Sequence, residues 1–325
     1  MENRRRTVRR AVFGLFLAAM APVVRGAPIQ ADFVFLIDAS GSMTDEIGAV
    51  RSGLSSFVTG LSAADVEPRF AIILFGGAPE LVLDFTGSGE DTEDAFGRIS
   101  TSGAVAGFQQ NHNVNPEAGL EAIRIALGSA NNSTLLRINV GGNGGLVFRD
   151  NVRKNLILVT DEDSDRPYYS ANRTPGQSSA EPPPGMPGGW QLEVAETAAD
   201  VIAAQAFLNM LINPGDAPSA RQYGNPASDV SDPNFLNFDA AATLAQLTLS
   251  GFGTSLQAQV LTSGLIARSF NIGDVNTPDF IENFFAAKVE ETVDVIPEPS
   301  SWLLLGAGVA LLLFGSKRRA GEKIS

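Results

Sequence analysis

Residues Phe33 to Met43 read FVFLIDASGSM, and the order of residue types in this stretch decides the fold. An apolar run ends in a carboxylate, the Ala39-Ser40-Gly41-Ser42 segment turns the chain, and a helical spacing follows at once. A strand apolar on both sides is buried on both faces, the situation of a parallel sheet covered by helices. The spacing predicts a strand over Asp32–Asp38 and a helix from Asp45 to Leu61, with Ile47, Val50, Leu54, Phe57 and Val58 on one face. Working outward, RFAIILF (Arg69–Phe75), NLILVTD (Asn155–Asp161) and AFLNMLI (Ala206–Ile212) read as further buried strands. ELVLDF (Glu80–Phe85) follows the second strand across a Gly-Gly-Ala-Pro turn and is expected to be an antiparallel edge. Helical patterns cover Pro116 to Leu127, Glu193 to Ala204, Ala240 to Leu249 and Asp279 to Val289. Alternating strands and helices predict an α/β fold: a doubly wound, mostly parallel open sheet with one antiparallel edge strand and helices on both faces. Segments near 138–148, 165–190 and 214–238 are rich in Gly, Pro, Asn or Ser and are expected to be a hairpin insertion and two surface loops.

Composition narrows the chemistry. The 325 residues are 44% hydrophobic and 18% charged, enough apolar content to bury a sizeable core. With no Cys, the chain has no disulfide scaffold, no thiol nucleophile and no Cys-bound zinc. One His, His112, argues against a Ser-His-Asp triad or a multi-His metal centre. The net charge of −13 argues against nucleic acid, whose phosphates call for clustered Lys and Arg. Residues 27–316 carry 13 basic and 34 acidic side chains, so the stretch between the two basic ends is far more acidic than the chain as a whole. Acidic surfaces of this kind attract cations.

The ends read as addresses. Arg4, Arg5, Arg6, Arg9 and Arg10 precede an apolar run, Ala11 to Val24, and then Gly26 and Ala27, the order of a secretory signal peptide over residues 1–27. The apolar run is shorter than the roughly 20 residues a bilayer span needs, which favours export over anchoring. At the other end, Trp302 to Phe314 is apolar and Lys317, Arg318 and Arg319 follow, the pattern of a short membrane helix over 301–316 with a cytoplasmic basic end. Pro297-Glu298-Pro299, the apolar helix and the basic cluster together resemble the PEP-CTERM sorting tail, here residues 294–325. That resemblance implies recognition by the exosortase, a membrane protease-transpeptidase of Gram-negative bacteria that make exopolysaccharide.

Asp38, Ser40 and Ser42 lie two residues apart at the carboxyl end of a strand, the edge of an open α/β sheet where ligands bind. A turn can aim all three at one point and offer the hard oxygen ligands that Mg²⁺ or Mn²⁺ prefers. Helix capping accounts equally well for Ser-Gly-Ser taken alone. DASGSM on this strand resembles the von Willebrand factor type A domain, with a Rossmann-like sheet, over roughly Asp32 to Val289. Its metal-ion-dependent adhesion site has the pattern D-x-S-x-S, a fourth ligand before a later helix, usually Thr, and an Asp ending the fourth strand. Asp161 matches the last. In place of Thr the chain has Asn113-Val114-Asn115-Pro116-Glu117, which resembles the Pro-Glu segment of integrin β-subunit domains and implies Glu117 as a ligand. The same comparison makes Asp45 and Glu46 candidates for an adjacent Ca²⁺ site, although two acids in a first helical turn also suit the helix dipole.

The resemblance implies a binding module, not an enzyme. By that resemblance Ser40, Ser42 and Glu117 are expected to hold the ion directly and Asp38 and Asp161 its waters, with one position left open for an acidic protein or polysaccharide. Two other readings are a structural matrix component with a purely stabilising ion and a hydrolase built on Asp38, Glu117 and Asp161. Asp163 and Asp165 extend Asp161 into a D-x-D-x-D run, but Arg166 and Asn172 occupy the positions where an EF-hand needs Gly and Glu, so they are expected to be rim acids. His112, Tyr168, Tyr169 and Trp190 are expected in loops around the site.

Overall fold

A computed structural model of the chain describes residues 27–77, 79–99, 117–128, 136–137, 146–165, 190–213, 217–224, 248, 251, 253–273 and 280–294. The expected signal peptide up to residue 26, the sorting tail with Pro297, Glu298 and Pro299, and the 301–316 helix lie outside these residues. No helix among the described residues is long and apolar enough to cross a membrane.

Seven strands form one sheet: β1 (Ile29–Asp38), β2 (Val66–Phe75), β3 (Glu80–Thr86), β4 (Leu136–Arg137), β5 (Arg153–Val159), β6 (Phe207–Ile212) and β7 (Ala267–Asn271), in spatial order β4-β3-β2-β1-β5-β6-β7. β1 is central, parallel to β2 on one side and β5 on the other, and β6 and β7 continue in parallel. β2 and β3 are the antiparallel pair. β3 is not the outermost strand, as its position in the sequence suggests: the two-residue β4 pairs beyond it, parallel to β3. Two residues are too few to carry a strand period, so β4 has no sequence signal.

The period of two along the strands divides the core. Phe33, Phe35 and Ile37 of β1 pack on one side with Phe57 and Leu54, while Val34 and Leu36 pack on the other with Leu120, Ile123 and Val194. The first side is covered by α1 (Thr44–Ala63), α2 (Gly89–Arg98) and α7 (Phe280–Asp294), and the second by α3 (Gly119–Ala126), α4 (Trp190–Ala204) and α6 (Leu256–Thr262). A six-residue α5 (Ala217–Gln222) stands in a stretch expected to be loop. The first side is rich in phenylalanine; Phe57 stacks on Phe285 at 4.6 Å and meets the edge of Phe33 at 5.1 Å. α1 lies against α7 closely enough that a Cβ on Gly53 would stand 2.2 Å from Ile281 Cγ2, so only glycine fits there.

Three elements escape the periodicity reading. α2 is announced only by its cap, Ser88, which accepts from Asp91 N at 3.0 Å. α6 buries Gln257 together with Leu256, Ala258 and Val260, so enclosure erases the polar face by which an amphipathic helix is recognised. β7, ARSFN, buries Ser269 beside Phe270. The helix expected over Ala240–Leu249 falls almost entirely outside the described residues.

Candidate metal centre

β1 delivers Asp38 to the carboxyl end of the sheet, fully buried, where Ala39 N donates to Phe75 O at 2.9 Å as the chain leaves the ladder. Asp38 is held from two sides. Ser40 N donates to its Oδ1 at 2.9 Å and Thr160 Oγ1 to its Oδ2 at 2.8 Å. A single 3₁₀ turn, Gly41–Met43, then reverses the chain into α1, with Met43 N donating to Ser40 O and the Met43 side chain buried beneath as a plug. No side-chain cap is made by Ser40 at this turn. Its hydroxyl faces Ser42 Oγ at 3.1 Å, and Ser42 Oγ donates to Asp161 Oδ1 at 3.2 Å. The structure therefore brings Asp38, Ser40, Ser42 and Asp161 together.

Glu117 joins them from the loop before α3. Asp165 Oδ2 accepts from Glu117 N at 3.1 Å, Asp165 N donates to Glu117 O at 3.2 Å, and Ser164 Oγ accepts from Leu120 N in the first turn of α3. Asp165 is thus a clamp on the Glu117 loop and more than a rim acid. The clamp is itself braced by Gln222 of α5, whose Oε1 accepts from Ser164 N at 2.6 Å and whose Nε2 donates to Asp163 Oδ2 at 3.2 Å. Beneath it, Tyr223 is fully buried, and a Cβ on Gly119 would stand 2.3 Å from its hydroxyl, so glycine admits this ring. Thr160, Ser164, Gln222 and Tyr223 are absent from the sequence-derived set. Thr160 had a signal, since it precedes Asp161 at the strand end; Gln222 and Tyr223 had none.

The electrostatics are those of crowded acids. Burial pushes the Asp38 carboxyl up to about 7, against the pull of Ser40 and Thr160 and with a push from Asp161. Burial also lifts Glu117, and the charges of Asp38, Glu162, Asp161 and Asp165 carry it up to about 9. Glu46 is raised as well, first by burial and then by Asp161 and Asp45, so it lies within reach of the same cluster. Its Oε2 is buried with no hydrogen-bond partner among the described residues, whereas Asp45 is exposed. His112, Pro116, Tyr168 and Tyr169 are outside the described residues, and of Trp190 only the backbone, at the start of α4, is described.

Among the described residues no three His, Cys, Asp or Glu side chains gather into a metal-holding group. The donor set here is mixed, two serine hydroxyls with carboxylates at their sides, and that oxygen-only chemistry suits a hard cation such as Mg²⁺.

Residues 33–163 match the von Willebrand factor type A domain family, and residues 295–319 match the PEP-CTERM protein-sorting motif. No curated protein matches the chain. Among solved structures, proximal thread matrix protein 1 from the mussel byssus is similar at 12% identity over 82% of this chain and 48% of its own, with a TM-score of 0.40. An aerotolerance-related membrane protein from Bacteroides fragilis is similar at 12% identity over 82% of this chain and 100% of its own, with a TM-score of 0.40. The pilus adhesin SpaC from Lactobacillus rhamnosus GG, in an open conformation, is similar at 12% identity over 83% of this chain and 30% of its own, with a TM-score of 0.45. The chain thus spans about half the length of the mussel protein and less than a third of the adhesin. PEP-CTERM motifs go with export and sorting to the envelope or extracellular surface of Gram-negative bacteria, and type A domains are generally known as non-catalytic binding modules. The chain thus contains a stretch, residues 33–163, that matches the von Willebrand factor type A domain, and a C-terminal stretch, residues 295–319, that matches the PEP-CTERM sorting motif and marks it for export.

Proposed function

We propose that this protein binds a divalent cation, Mg²⁺ or Mn²⁺, at the carboxyl end of β1 and uses it to bridge to an acidic protein or polysaccharide outside the cell. Ser40, Ser42 and Glu117 are the direct ligands, and Asp38 and Asp161 hold coordinated waters. The observation that carries the reading is the run Ser40 Oγ, Ser42 Oγ, Asp161 Oδ1, linked at 3.1 and 3.2 Å beside Asp38 and Glu117, two acids whose carboxyls are pushed up to about 7 and about 9. Carboxylates buried against one another favour any cation that relieves their repulsion. When bound, the ion supplies a positive centre to which a partner's carboxylate can add. The protein's own acidity repels such a partner at long range, so binding depends on that ion.

Asp45 and Glu46 form an adjacent Ca²⁺ site in this reading, supported by the unpartnered Glu46 Oε2 facing the charge of Asp161. The exosortase takes the tail at Pro297-Glu298-Pro299 while the 301–316 helix holds the protein at the membrane. A second reading, an ion that only stabilises a matrix component, draws on the same hydroxyl–carboxylate bonds, since they already tie the segments after β1 and β5 together.

Retention of the purified protein on an acidic polysaccharide column, with Mg²⁺ and then with EDTA, tests the bridge. Retention lost in EDTA and in Asp38→Asn is expected. Calorimetric Mg²⁺ binding without ion-dependent retention of any acidic polymer or peptide would favour the stabilising role, and no Mg²⁺ binding would remove the site.

A further inference from the structure

On the phenylalanine-rich side of the sheet, away from the acids, three polar side chains meet in the core. Lys288 and Asn209 are fully buried and Glu291 is 5% exposed. Lys288 and Glu291 lie one turn apart on α7, and Asn209 stands in the middle of β6 between Ile157 and Arg268 of its neighbours. Lys288 Nζ and Asn209 Nδ2 both donate to the same atom, Glu291 Oε2, the second at 3.4 Å. The amine and the carboxamide therefore meet across one acceptor. Asn209 Oδ1 is buried with no hydrogen-bond partner among the described residues. Phe207, two residues before Asn209, has its ring centroid 5.8 Å from Lys288 Nζ and is flanked by Arg153 at 4.4 Å; Phe270, Phe284 and Phe285 belong to the same core.

A charged pair in such surroundings forfeits hydration, and a buried lysine beside other cations is a neutral nucleophile in the making. Arg268 forms an ion pair with the other oxygen of Glu291, and Arg153 Nη1 donates to Glu291 O. Burial, Arg268 and Arg153 together hold the Lys288 amine well below the ordinary lysine range. The chain is exported and has no cysteine, so it has no disulfide to brace it.

We propose that Lys288 and Asn209 join in an intramolecular amide bond, with Glu291 carrying the proton, so that β6 and α7 are covalently tied. The neutral Lys288 amine attacks Asn209 Cγ, and Glu291 takes one proton from the attacking nitrogen. Glu291 passes the proton to the departing amide nitrogen. One C–N bond forms between Lys288 Nζ and Asn209 Cγ, the Cγ–Nδ2 bond breaks, one ammonia leaves, and no redox partner is needed. Holding both groups on one acceptor in a dry site supplies the proximity that this otherwise slow aminolysis requires.

Mass spectrometry of the full chain, denatured and digested with trypsin, tests this directly. A joined species is expected, containing the peptide Thr174–Arg221 and a peptide that begins at Ser269 and runs uncleaved past Lys288, lighter than their sum by one ammonia. Recovery of Thr174–Arg221 and of a peptide ending at Lys288, both at their sequence masses, overturns the proposal even if no variant folds. Glu291→Gln, in a protein that retains its far-ultraviolet circular dichroism, is expected to give the separate peptides. A joined species in that variant would remove Glu291 from the reaction.

Discussion

β1 carries two buried aspartates six residues apart, and the two ends of this one strand treat them oppositely. Asp32, at the amino end, receives Arg69 Nε at 2.9 Å and Nη2 at 2.7 Å, with Arg149 N and Nε each at 2.9 Å. Burial pushes its carboxyl up, but the hydrogen bonds and charges of Arg69 and Arg149 outweigh that and hold it below the usual range. Asp38, at the carboxyl end, is equally buried but has hydroxyl and backbone donors, with another acid, Asp161, beside it, and its carboxyl rises to about 7. A buried carboxylate needs a cation or a proton. The chain supplies the cation at one end from its own arginines; at the other it gathers acids and hydroxyls, the arrangement from which the metal proposal follows.

The comparison breaks most visibly at Asp32. Asp32→Asn leaves two arginines without their anion, and a loss of about 3 kcal/mol is expected in urea denaturation, below the largest buried-pair values because both arginines keep some water. Asp38→Asn is expected to leave metal-free stability nearly unchanged, and an equal loss at both positions would abolish the distinction.

The next largest effect is pH dependence. Asp38 and Glu117 have ordinary carboxyl values in the unfolded chain and values of about 7 and about 9 in the fold, so at intermediate pH the fold holds protons that the unfolded chain has released. Stability of the metal-free protein should therefore fall as pH rises, at up to about 1.4 kcal/mol per pH unit for each group, or about 2 kcal/mol for each from pH 5 to 7. Asp32 works in the other direction. Its contribution is complete above the ordinary aspartate value of 3.8 and is lost only in acid below it. Thermal melts in EDTA and in Mg²⁺ check both arms, with Mg²⁺ expected to rescue the alkaline side and leave the acid side unchanged. A melting temperature independent of pH between 5 and 8 in EDTA would contradict the crowding of Asp38 and Glu117.

In calorimetry, Asp38→Asn is expected to weaken Mg²⁺ at least tenfold, about 1.4 kcal/mol. The smallest effect is expected for Glu117→Thr, which removes one carboxylate but keeps an oxygen: a loss under tenfold, with a shifted preference among Mg²⁺, Mn²⁺ and Ca²⁺. Unchanged affinity and preference would show that Glu117 is not a ligand.

Much of this contrast was legible beforehand at one end only. DASGS and LILVTD mark Asp38, Ser40, Ser42 and Asp161 because a strand's carboxyl end and the turn after it are local in sequence. Nothing nearby in sequence marks Asp32, because its partners are 37 and 117 residues away and meet it only when β2 and the segment before β5 close on β1. The same holds for Gln222, 58 residues from Ser164, in a stretch whose Pro, Asn and Ser content reads as loop.

The sequence by itself determined the strand–helix alternation, the buried first strand, the C-terminal sorting motif and the carboxylate and hydroxyl side chains at that strand's carboxyl end. These depend on periodicity, composition and short spacing, which are properties of neighbouring residues. Only the tertiary structure decided that β3 is flanked by β4, that Asp165 and Gln222 brace the Glu117 loop, that Asp32 is neutralised from within, and that Lys288 and Asn209 share one carboxylate oxygen. Each of these joins residues far apart in the chain, and their pairing is set by packing the two faces of the sheet, a free energy that no local window contains.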